Sequence, residues 1–100
     1  MSIFRQAVVV GFCMSPSELG DASQSSLITD FEAVDGQRFS IRFEDVQRFA
    51  VDGFESRPLI GEVHDEVYYS SRTKVSRVKL MFQGERWSMS FTCSAIIVVE

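Results

Sequence analysis

The run RVKLMFQGERWSMSF, residues 77–91, alternates strictly on both sides of a glycine. Apolar residues that recur every second position line one face of a strand, not of a helix. A two-residue turn at Gly84 and Glu85 predicts the pairs Phe82–Trp87, Leu80–Met89 and Val78–Phe91, all on one side. The other side then carries Arg77, Lys79, Met81, Ser88, Ser90 and Thr92 and reads as the solvated face. A hairpin this one-sided needs a second apolar layer to close over it.

The rest of the chain supplies that layer in the same idiom. Residues 3–14, with AVVVGFCM at their centre, read as a buried strand by β-branched content. Residues 27–33 and 37–43 form a second hairpin. A three-residue loop at Val34, Asp35 and Gly36 keeps its faces consistent. It sets Phe31 against Phe39, Leu27 against Phe43 and Glu32 against Arg38, with Gly36 in the left-handed conformation. A bend at Glu44 and Asp45 leads to a strand at about residues 46–51, although Phe43, Val46, Phe49 and Ala50 would also fit a helical stripe. Pro58 opens another strand, which runs to about Tyr69. It sets His64, Glu62 and Glu66 on one side and Asp65 on the other. Ser15, Pro16, Ser17 and Glu18 have the form of a helix-capping box, but the sequence after them supports only one short helical turn. The expectation is one domain, residues 1–100: an all-β antiparallel sandwich or half-open barrel of six or seven strands with at most one short helix. In the final AIIVV the alternation dissolves, which predicts a strand buried on both faces or covered by a loop.

Composition narrows the function classes. The chain has 100 residues, a formal charge of −4 and 45% hydrophobic residues, as an ordinary folded domain does. An overall negative charge argues against nucleic-acid binding. The basic residues Arg72, Lys74, Arg77, Lys79 and Arg86, with Tyr68 and Tyr69, are too few for a binding stripe. Residues 1–66 hold twelve acidic and five basic residues, whereas residues 67–100 hold two and five. An acidic surface favours a basic partner by steering its approach. The exposed-acid candidates for contact are Glu44, Asp45, Asp52, Glu55, Glu62 and Glu66, with Arg77 and Lys79 in second rank.

No catalytic motif appears. His64 is the single histidine and lacks a third convergent ligand, so no metal or cofactor is expected. Cys13 and Cys93 sit in apolar strands and read as small buried thiols in a reducing, cytoplasmic setting. The apolar run near the N-terminus is too short to span a membrane as a helix.

Three landmarks stand in order: FSIRFEDVQRFAVDGF at 39–54, LIGEV at 59–63, and VKLMFQGERWSMSFTCSAIIV at 78–98. Together they resemble the small all-β immunity proteins of bacterial polymorphic-toxin systems, in particular the family numbered fifty. The resemblance is carried by the Gly53–Phe54 corner and by Phe91, Cys93, Ile96 and Val98 of the closing element. It implies a non-enzymatic cytoplasmic protein that binds and blocks a cognate toxin. A small-ligand-binding β domain, with Trp87 and the phenylalanines around a cavity, or a subunit of a larger assembly, is the alternative. A hydrolase using scattered acids is the third reading. A sheet edge also leaves room for a homodimer.

Overall fold

Period-two patterning yields strands throughout. The computed structural model describes residues 4–15, 25–53, 56–71 and 75–99. Eight strands follow in chain order: β1 (Val8–Ser15), β2 (Ser26–Glu32), β3 (Arg38–Glu44), β4 (Gln47–Asp52), β5 (Glu62–Ser70), β6 (Val75–Gln83), β7 (Ser88–Cys93) and β8 (Ala95–Val99). They form two four-stranded antiparallel sheets, ordered β1-β2-β3-β8 and β4-β7-β6-β5. The expected short helical turn after Ser15 falls outside the described residues.

The two sheets are joined by continuous chain at a shared corner. β3 runs into β4 and β7 runs into β8, each crossing from one sheet to the other. β3 pairs with β8 and β4 with β7, so the two crossings turn the corner side by side. Asp45 makes the first bend with φ 54°, a conformation that aspartate tolerates better than most residues. The Ser94 amide makes the second, donating to the Glu44 carbonyl at 2.9 Å. This split at Ser94 produces an eighth strand where the sequence suggests one continuous element. A third crossing lies between β4 and β5. Residues 58–60 run beside β1, where Ile60 N donates to Ala7 O at 2.8 Å and Val9 N to Pro58 O at 2.9 Å. Gly61 N then donates to Gln83 O and joins the second sheet. The strand expected from Leu59 therefore begins at Glu62.

The β2–β3 hairpin has the predicted register: Phe31 opposite Phe39, Leu27 opposite Phe43, Glu32 opposite Arg38. Gly36 has φ 87°. The β6–β7 hairpin does not. Its pairs are Phe82–Met89, Leu80–Phe91 and Val78–Cys93, two residues away from the expected register. The turn is longer, closed by Gly84 N donating to Trp87 O at 2.9 Å. Trp87 folds over Gly84, and its Nε1 donates to Leu59 O at 3.0 Å. A slip of two preserves every face, so the core side is as expected although the partners differ.

Phenylalanines fill the space between the sheets. Phe4 lies 5.1 Å, ring to ring, from both Phe31 and Phe82, one on each sheet. Phe43 and Phe91 meet edge-on at 4.8 Å across the layer. All five are buried. Burying each side chain contributes roughly 2–3 kcal/mol, and edge-on ring pairs add about 1 kcal/mol. β1 and β8 are not buried as their sequences suggest. Val10, Phe12 and Met14 in β1 and Ile97, Val98 and Val99 in β8 are exposed, because both are outer strands of the first sheet. Cys13 is exposed as well, while Cys93 lies in the core; both are free thiols.

Candidate functional site: the outer face of the second sheet

Antiparallel partners point to the same side of a sheet, so the register lays out the outer face of the second sheet in rows. The first row is Asp52, Ser88, Gln83 and Glu62, one residue from each strand. The second is Ala50, Ser90, Met81 and His64; the third is Gln47, Thr92, Lys79 and Glu66. Asp52 and Glu62 sit on opposite edges, about 14 Å apart at ordinary strand spacing. Three hollows lie along this face and its hairpin tip. One of about 380 Å³ is lined by His64, Asp65, Glu66, Lys79 and Met81. A second, also about 380 Å³, is lined by Gly61, Glu62 and residues 83–85. The third, about 220 Å³, reaches from Gln83 to Asp52, Trp87 and Ser88.

The acidic candidates divide into two groups. Asp52, Glu62 and Glu66 are exposed on this face. Glu62 pairs with His64, Nε2 to Oε2 at 3.1 Å, an exposed contact of small energy. Glu66 lies opposite Lys79 on β6. Glu44 and Asp45 are instead tied into the corner. Glu44 lies 2.7 Å from Arg42 Nε and accepts from Ser26 Oγ at 3.0 Å. Asp45 holds Arg77. Glu55 lies outside the described residues.

Arg77 is the main correction to the sequence reading. It is buried, not solvated, and Thr92 is buried with it. Arg77 Nη1 donates to Asp45 Oδ2 at 2.6 Å, and Nη2 donates to Asp45 O at 2.7 Å and Thr92 Oγ1 at 3.2 Å. Thr92 Oγ1 in turn donates to Gln47 O at 3.3 Å. Alternation placed Arg77 on the outer side of β6 correctly. It could not show that the β3–β4 corner covers that position. Arg77 thus leaves the contact set, whereas Lys79 stays exposed within it. Of the other basic residues, Arg86 is exposed on the hairpin loop, and Arg72 and Lys74 lie outside the described residues.

Among the described residues the groups named for chemistry do not converge. Cys93 faces the core opposite Val78, while His64 faces outward opposite Met81, so the sheet separates thiol from imidazole. Burial pushes the Cys93 thiol up to about 11, against the pull of the Arg77 charge. Among the described residues no carboxylate is buried, and no group of three ligating side chains could hold a metal. No helix among them is long and apolar enough to cross a membrane. Trp87 and the phenylalanines pack against one another, and the indole N–H is already bonded.

The sequence missed that Asp52, Glu62 and Glu66 share one surface with the polar face of the hairpin. Only the order of strands, β4-β7-β6-β5, brings Asp52 and Glu62 to the two edges of the Ser88–Gln83 pair. No known protein family and no curated protein matches the chain.

Proposed function

We propose that this chain is a non-enzymatic interaction protein, an immunity protein that binds and neutralises a cognate bacterial toxin in the cytoplasm. The observation that carries the contact surface is the placement of Asp52, Glu62 and Glu66 on one face of one sheet, all exposed, with the exposed Glu62–His64 contact their one ion pair among the described residues. Carboxylates held this way add nothing to the core and are available to a basic partner. Ser88, Ser90, Gln83 and Met81 between them supply hydrogen-bonding groups and a polarisable apolar centre. The class of partner rests on the resemblance of residues 39–98 to the toxin-immunity family. Co-expression with the product of the neighbouring gene tests both. Restored growth and co-purification are expected. A toxic neighbour that kills equally with or without this chain overturns the reading.

The small-ligand alternative is disfavoured by Trp87. The residue that would line a cavity is buried and hydrogen bonded to Leu59.

A further inference from the structure

Each of the two sheets has two outer strands, and three of the four carry a device that discourages pairing with another chain. β1 is bulged between Val9 and Gly11 and is flanked by residues 58–60. β4 is broken between Gln47 and Ala50, with Arg48 at φ 55°. β5 sets His64, Asp65 and Glu66 in sequence along its exposed length. Bulges, covers and charges are the usual means of blunting a sheet edge.

Among the described residues β8 has none of them. Its sequence is AIIVV, its register with β3 is unbroken from Ala95 to Val99, and no strand among the described residues lies beyond it. Val98 points to the core side, opposite Ile41, yet is 63% exposed. Among the described residues no backbone group pairs with the far edge of β8.

We infer that β8 pairs antiparallel with β8 of a second copy of this chain, joining two four-stranded sheets into one of eight. Self-complementarity selects this occupant. A two-fold axis at Ile97 sets Ile97 against its own copy, Ile96 against Val98 and Ala95 against Val99. Each position then meets a small or β-branched residue. The core-side Val98 gains an isoleucine beside it. Charge points the same way. β8 carries no charged side chain, and the charges beside it on β3, Arg42 and Glu44, are already paired at 2.7 Å. No charge within Ala95–Val99 repels a second copy, and none there would select a charged foreign strand. Five residues make a small seam beside the roughly 800 Å² per partner of a standard interface, so the dimer dissociates on dilution. This inference does not depend on the immunity reading, and the toxin-facing surface stays free on the other sheet.

Sedimentation equilibrium of the whole chain, from about 10 μM to about 1 mM, tests it. The apparent mass should rise from 11.3 kDa towards twice that value. Val98→Lys should hold the mass at the monomer value throughout. Val67→Lys, on the exposed outer strand of the other sheet, should leave the rise unchanged. A wild type that stays monomeric to the top of the range overturns the proposal. So does a Val98→Lys variant that associates like wild type, or a Val67→Lys variant that alone abolishes association. Amide exchange on the wild type decides the matter if Val98→Lys does not fold. The outward amides of β8 must be slowed severalfold at high concentration and not at low. Equal rates at both concentrations reject the seam.

Discussion

Arg77 grips Asp45 twice, at the carboxylate by Nη1 at 2.6 Å and at the backbone carbonyl by Nη2 at 2.7 Å. The second contact fixes the bend itself. The carbonyl of a residue in the left-handed region cannot continue the strand ladder, and a guanidinium accepts that role. The pair spans 32 positions in sequence and joins β6 to the corner between β3 and β4.

Removing the charge from one partner should expose its value. Asp45→Asn keeps a residue that tolerates positive φ and leaves Arg77 buried without a counter-ion. We expect a loss of about 2–3 kcal/mol in urea unfolding, since breaking such a pair strands a charge. Arg77→Met in the Asp45→Asn background should recover part of it. Equal stability of Asp45→Asn and wild type would show that the pair is incidental.

Gly84 and Gly11 should respond oppositely to alanine. A Cβ at Gly84 would overlap the Trp87 indole and approach Leu59 O to 2.6 Å, whereas one at Gly11 meets nothing within 4 Å. Gly84→Ala should lower stability by about 2 kcal/mol and shift the Trp87 emission. Gly11→Ala should stay within about 0.5 kcal/mol of wild type.

The thiols should differ in reach and in pH response. Iodoacetamide should modify exposed Cys13 in the native protein and Cys93 only after unfolding. Burial holds the Cys93 thiol at about 11 against a reference of 9.0. The folded state therefore keeps this proton where the unfolded state loses it. The associated stability is full below pH 9 and declines between about pH 9 and 11, by an amount on the order of 2 kcal/mol. Cys93→Ala is less stable at neutral pH but should lack this share of the alkaline decline, as urea titrations at pH 8 and 10.5 will show.

Reversing Asp52, Glu62 and Glu66 together to lysine should slow association with the proposed basic partner roughly tenfold or more at low salt. The salt dependence should flatten, and stability should move by no more than about 0.5 kcal/mol per site. Stopped-flow mixing at two ionic strengths measures this. Glu44→Lys should instead unfold the corner more easily, because Glu44 is engaged by Arg42 and Ser26.

What was legible in the sequence depended on how local the deciding contact was. The β2–β3 register could be read because only a three-residue loop kept Phe31 and Phe39 together. The β6–β7 register could not, because turns of two and four residues both preserve the same faces. The choice belonged to Trp87, whose indole bonds Leu59 28 residues away. The exposed acids Glu62 and Glu66 and their neighbour His64 were placed on one face by alternation alone, and β5 has them there. Their union with Asp52 required the strand order. Arg77 was misjudged for a related reason. Period two states which side a residue takes, not what lies over it.

The paired corner has a mechanical consequence. Two adjacent strands pass together from one layer to the other, so parting the layers at this corner would have to disrupt both strands at once. The molecule's interior amides should therefore become accessible only through whole-molecule opening, in one cooperative event, and the carboxylate-bearing face reaches any partner as a rigid plate.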